Sequence, residues 1–182
     1  MKILLTDIDG VLLDWSGHFN KYLQTYHPKL GLMNPTSFDQ QSEIAKVMQS
    51  FNSSAWIGYL QPHKDAAEIL PKFKQAGYDI ICCTAMGHDP YSYSLRKQNL
   101  ENIFPGLISR VDVTGFGQPK TEWLSQYKGS GAIWVEDKWT NAIAGVTTGL
   151  NTYLMRHEYN ASQDHTGVKK IDNWIQLYNE VN

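Results

Sequence analysis

The chain has 182 residues and a mass of 20.7 kDa, with 42% hydrophobic and 19% charged residues, proportions that suit one compact globular domain with room for a modest insertion. Lys and Arg number 16 against 18 Asp and Glu, for a formal charge of -2 and a pI of about 6.3, which supplies no basic surface for tracking a long nucleic acid. No apolar run approaches the roughly 20 residues of a membrane-spanning helix, and Ile3-Leu4-Leu5 meets polar Thr6 and Asp7 too soon for a signal peptide, so the expectation is a cytoplasmic protein that does not use a membrane.

In chain order, the first strand is predicted at 2–5. Residues 15–60 then show no strand pattern but two helical stripes: Trp15, Phe19, Tyr22, Leu23 and Tyr26, followed by Phe38, Ile44, Val47, Met48 and Phe51. Ser37-Phe38-Asp39-Gln40 has the form of a capping box for the second stripe. Further strands are predicted at 79–83, 110–113, 132–135 and 152–155, and helices at 64–76, 91–102, 119–127, 138–148 and 168–180. Pro71 is expected to kink or divide the helix that contains it. The last helix rests on Val168, Ile171, Trp174, Ile175 and Tyr178 along one face. Strand followed by helix, repeated, is the pattern of a parallel sheet covered on both faces. The expected fold is therefore α/β and Rossmann-like, a core of residues 1–14 and 61–182 with a small helical cap at 15–60 inserted after the first strand. Cys82 and Cys83 are adjacent in a strand, so their thiols point to opposite faces and are poorly placed to bridge.

In a parallel sheet ligands sit beyond the carboxyl ends of the strands. Asp7-Ile8-Asp9-Gly10 follows the first strand, Thr84-Ala85 the second, Lys120 lies after the third, and Glu136-Asp137 follows the fourth. Four acids, a hydroxyl and an amine thus converge on one sheet edge. Carboxylates that crowd one another need a cation, and hard oxygen ligands suit Mg2+. The cation in turn favours an anionic substrate such as a phosphate, whose oxygens Thr84 and the N–H groups opening the next helix can hold while Lys120 neutralises charge.

Singly, each feature has a plainer reading: an acidic pair often marks a turn, Thr84 could end a strand, Lys120 could sit on a surface helix, and Glu136-Asp137 could face a helix dipole. The ordered set is more specific. Asp7-Ile8-Asp9-Gly10-Val11-Leu12, Thr84-Ala85, Lys120 and Glu136-Asp137 resemble the four motifs of the haloacid dehalogenase superfamily, and the resemblance covers nearly the whole chain. It implies Asp7 as a phosphoryl-accepting nucleophile and Asp9 as the acid for the leaving oxygen and later the base for water. Mg2+ would be held by Asp7, the backbone carbonyl of Asp9, Asp137, and Glu136 directly or through water. Retention of Asp9 points to a phosphatase or phosphomutase rather than a dehalogenase, and Asn141 stands where relatives often carry an acid. Only 36 residues separate Thr84 from Lys120, too few for a large second cap.

Within that superfamily, Asp7 to Trp15, Trp56-Ile57-Gly58-Tyr59-Leu60-Gln61-Pro62, Tyr159-Asn160 and Asp172-Asn173-Trp174 are similar to the 5'(3')-deoxyribonucleotidases, although Glu158 replaces a Pro usual there. That similarity implies a nucleoside or deoxynucleoside monophosphate as substrate, with Ala85 and the cap aromatics Trp15, Phe19 and Trp56 as substrate contacts. Buried packing between cap helices is the plainer role for these rings. Two alternatives stay open: a sugar-phosphate phosphatase or phosphomutase, and a non-catalytic binding protein that keeps the fold.

Overall fold

A computed structural model describes residues 2–30 and 43–182; the capping-box residues 37–40 and Phe38 of the second stripe lie outside them. The chain runs β1 (Lys2–Thr6), α1 (Trp15–Tyr26), α2 (Glu43–Asn52), α3 (Ala66–Gln75), β2 (Tyr78–Thr84), α4 (Pro90–Ile103), β3 (Ile108–Val113), α5 (Thr121–Ser125), β4 (Ile133–Glu136), α6 (Trp139–Thr147), β5 (Asn151–Met155), β6 (Val168–Ile171) and α7 (Trp174–Val181), with short 3-10 turns at Pro28–Leu30, Ala55–Gly58 and Glu158–Asn160.

All strand pairs of the six-stranded sheet are parallel, in the order β3-β2-β1-β4-β5-β6. The order reverses direction between β1 and β4, which opens a crevice beyond their carboxyl ends. Alternation along each strand feeds two faces. Leu4, Ile80, Cys82, Ile133 and Val135 join the core shared with α3, α7 and the helices after β1, whereas Leu5, Ile81, Cys83 and Trp134 pack against α5 and α6. Cys82 and Cys83 accordingly fall on opposite sides of the sheet.

The helices between β1 and α3 bury their apolar stripes onto this same core through Phe19, Leu23, Val47 and Phe51. Asp14 caps α1 by accepting the Gly17 N–H at 3.0 Å. The α3 helix continues through Pro71, which stands at its sixth position; one backbone hydrogen bond is forgone while Ile69, Leu70 and Phe73 remain anchored in the core.

One predicted element is corrected. Residues 168–171 form the sixth strand rather than the first turn of the last helix. Val168 and Ile171 are both buried, but on opposite faces of the sheet, so a three-residue spacing that suits one helical face arises from two strand faces. The helix begins at Trp174, capped by Asn173, which accepts the Gln176 N–H at 2.8 Å.

Candidate active site

β1 carries the chain into the crevice. Asp7 still pairs with the sheet, its N–H donating to the Val135 carbonyl at 2.9 Å, and its side chain is nearly buried. Ile8 is fully buried, and Gly10 takes φ +79°, a left-handed turn that returns the chain toward α1. Asp9 lies between, with 26% of its side chain exposed. From β4 come Glu136, fully buried, and Asp137. Carboxylate oxygens of Asp7, Glu136 and Asp137 all lie within 4.8 Å of one another.

Lys120, immediately before α5, reaches into this cluster from the side. Its Nζ lies 2.6 Å from Asp7 Oδ1 and 3.0 Å from Glu136 Oε2, and the side chain is 1% exposed. The other Glu136 oxygen accepts the N–H groups of Asp137 at 3.2 Å and Lys138 at 3.0 Å. Glu136 therefore holds Lys120 in place, and would reach a cation through the lone pairs left over or through water. Asn141 is buried beside Lys120, its Oδ1 facing the Lys120 N–H at 3.5 Å.

The electrostatics follow from crowding without solvent. Burial, then the neighbouring Glu136 charge, pushes the Asp7 carboxyl up to about 7 despite Lys120. Burial followed by the Asp7 charge moves Asp137 up to about 6. Burial also lifts Asp9 to about 6, although Arg96 opposes the shift. Desolvation alone would lower Lys120, but the Asp7 and Glu136 charges outweigh it and hold the amine above the ordinary lysine range. A second positive charge of small radius would relieve the remaining repulsion, so this donor set fits a hard divalent cation.

A cavity of about 420 Å³ opens above the cluster. Asp7, Asp9, Thr84, Ala85, Lys120, Glu136, Asp137 and Asn141 form its floor, and Trp15, Ser16, Met48, Asn52, Met86 and Phe116 are among its walls. The strand-end residues singled out in the sequence thus meet at one place. Of the three predicted cap aromatics, Trp15 lines the cavity, and its indole N–H donates to Asn52 Oδ1 at 2.8 Å. Phe19 is fully buried behind it, ring centroids 4.8 Å apart, and Trp56 packs instead against Tyr22 and Tyr26. The helix after Thr84 starts at Pro90, within one residue of the prediction, but its first turn does not line the cavity, and the Asp89 carboxylate already accepts its Ser92 N–H at 2.8 Å. The loop residues Ala85 and Met86 line the cavity in its place.

Five contacts had no chemical signal in the sequence. Arg96, fully buried on α4, places Nη2 2.7 Å from Asp9 Oδ1. The Tyr159 hydroxyl donates to Asp137 Oδ2, and Asn160 Nδ2 donates to the Asp137 carbonyl at 2.8 Å. His157 stacks on Tyr159 with centroids 4.9 Å apart, and its Nε2–H donates to the Gly10 carbonyl at 2.8 Å. The Tyr159-Asn160 pair stood out only through family resemblance, and Arg96 not at all.

No family model matches the chain. An uncharacterized 32.4 kDa protein of Enterobacteria phage T4, from the Gp30-rIII intergenic region, is 31% identical over 137 residues, which span 69% of this chain but only 49% of that protein; the chain thus spans about half the length of that relative. Among solved structures, the L-2-haloacid dehalogenase from Xanthobacter autotrophicus superposes with a TM-score of 0.69 at 12% identity, over 100% of this chain and 98% of that one. A D,D-heptose 1,7-bisphosphate phosphatase from B. bronchiseptica, complexed with magnesium and phosphate, gives 0.64 at 12% identity over 100% of both chains. The corresponding phosphatase from Burkholderia thailandensis gives 0.60 at 12% over the same extent. With its parallel six-stranded sheet in this order and helices on both faces, the chain has the haloacid dehalogenase fold.

Proposed function

We propose that this chain is a Mg2+-dependent phosphomonoester hydrolase that works through an aspartyl-phosphate and takes nucleoside or deoxynucleoside monophosphates. The observation that carries this reading is the pairing at the end of β1: Asp7 on the cavity floor with Lys120 at 2.6 Å, and Asp9 two residues on at the same cavity.

Asp7 attacks phosphorus through a carboxylate oxygen, and the bond from phosphorus to the leaving oxygen breaks as Asp9 gives that oxygen a proton. Asp9, now a carboxylate, removes a proton from water; the water oxygen attacks phosphorus and the bond to Asp7 breaks, restoring the free enzyme and releasing phosphate. Thr84 donates its hydroxyl to a phosphoryl oxygen, and the Lys120 ammonium offsets charge gathering there. Asp7, Asp137 and the Asp9 carbonyl, with Glu136 directly or through water, are the residues that would hold Mg2+, which supplies charge neutralisation for the phosphoryl group and the acid cluster. That a phosphatase of this fold is complexed with magnesium and phosphate supports the assignment.

Nucleotide preference rests on the cavity walls. Trp15, Phe116, Met48 and Met86 offer flat and polarisable apolar surface for a base, with Ser16 and Asn52 as polar contacts. A sugar-phosphate substrate is the second reading, favoured by the heptose bisphosphate phosphatases that share the fold. Release of inorganic phosphate from a panel of nucleotide and sugar monophosphates with Mg2+ tests both. Turnover that needs Mg2+ and disappears in Asp7→Asn is expected. Faster hydrolysis of the sugar phosphates decides for the second reading, and normal turnover by Asp7→Asn overturns the mechanism.

A further inference from the structure

The α4 helix turns an unusual face inward: Ser92, Arg96 and Asn99 are all buried at helical spacing. Two of these have local tasks. The Ser92 hydroxyl donates to the Asp89 cap at 2.6 Å, and Asn99 Nδ2 donates to the Leu60 carbonyl at 3.0 Å, tying α4 to the segment after the helical insertion. Arg96 has no such task. Its guanidinium is fully buried, Nη2 lies 2.7 Å from Asp9 Oδ1, and Asp9 is its one ion-pair partner among the described residues. Burying a cation is costly, and a long apolar side chain would fill the same space without that cost. The charge therefore has its use at Asp9.

The approach direction matters. Arg96 does not line the cavity, whereas Asp9 does. Asp9 Oδ1 is buried against the guanidinium, so the exposed part of the carboxyl, Oδ2, is left to face the substrate. We propose that Arg96 is a positioning residue that clamps Asp9 from behind and presents its free oxygen to the leaving group and then to water. This rests on the reading of Asp9 as the proton-transfer group. Arg96 forms and breaks no bond: the proton passes between Asp9 and the leaving oxygen or water, and the guanidinium keeps its protons throughout.

The test compares kcat/KM for two small probes, benzyl phosphate, whose alkoxide needs a proton to leave, and p-nitrophenyl phosphate, whose phenolate does not. Arg96→Met is expected to lose about 100-fold on benzyl phosphate, the scale of a lost proton-transfer group, with a much smaller loss on p-nitrophenyl phosphate. Arg96→Lys should recover part of the difference. In an Asp9→Asn background, Arg96→Met should cause no further loss, because the residue acts through Asp9. That double variant also removes both charges and so stays foldable if Arg96→Met alone does not. Equal losses on the two probes, or a further loss in the Asp9→Asn background, overturn the proposal in favour of a purely structural role. Absence of wild-type turnover overturns the phosphatase reading itself, whereas wild-type turnover that Asp9→Asn abolishes and Arg96→Met leaves intact sinks this inference alone.

Discussion

The Lys120 ammonium sits 2.6 Å from Asp7 Oδ1 beneath the cavity, with Glu136 3.0 Å away on its other side. One cation thus serves two carboxylates, of which Glu136 is fully buried and Asp7 nearly so. Its side chain comes from the start of α5 and crosses to the ends of β1 and β4, so the same contact that neutralises the site also ties three elements together.

On the proposed function, Lys120→Met should therefore damage stability as well as turnover. Leaving two buried acids without their partner costs about 3–5 kcal/mol when a buried pair is broken from one side. Denaturant unfolding of the metal-free protein measures the first effect and phosphate release the second. A variant that loses activity at unchanged stability would mean that the acids do not depend on Lys120 for burial.

Asp7 predicts a pH dependence of definite sign. Its folded carboxyl is pushed up to about 7 from an ordinary value of 3.8, so the folded state holds a proton that the unfolded chain has already released. The resulting stabilisation is complete below 3.8 and is lost as pH rises through about 7. In metal-free protein the melting temperature of the wild type should fall relative to Asp7→Asn across that window, and added Mg2+ should stabilise the wild type most above it. Parallel pH profiles for the two proteins would contradict the burial of Asp7 charge.

Gly10 is a sharp probe of the proposed cation site. With φ at +79°, any side chain is strained there, and an added Cβ would meet Asp137 Oδ2. Gly10→Ala should displace that carboxylate and weaken Mg2+ binding, read as a smaller Mg2+-induced rise in melting temperature than in the wild type.

Gly145 supplies the contrast. An added Cβ would meet the Trp134 ring and the Thr152 hydroxyl in the sheet–α6 interface, and the Trp134 ring in turn lies 5.2 Å from the Lys120 ammonium. Overpacking of this kind costs about 1–3 kcal/mol, so Gly145→Ala should lower the urea midpoint, and an unchanged midpoint would mean that Trp134 yields without strain.

Trp15→Phe removes the indole N–H that donates to Asn52 at 2.8 Å while keeping a ring in the cavity wall. On the proposed function, KM for nucleoside monophosphates should rise and hydrolysis of p-nitrophenyl phosphate should change little. Equal effects on both would assign Trp15 to packing with Phe19 and Phe51 instead.

What the sequence determined by itself was local in origin. Strand periodicity at 2–5, 79–83 and 132–135 lies in consecutive residues, and in a parallel sheet every strand ends at the same edge, so the sequence alone brings Asp7, Asp9, Thr84, Glu136 and Asp137 to one place. Only the tertiary structure decided what lies behind them. Val168 and Ile171 read as one helical face because spacing alone cannot tell a helix stripe from two buried sides of a four-residue strand. Phe19 and Trp15 share a stripe, yet packing sends one into the core and the other to the cavity. Arg96 carries no signal in the sequence; its burial against Asp9 exists only because α4 packs on the crevice, a contact that joins residues 87 positions apart and leaves no periodic mark in either segment.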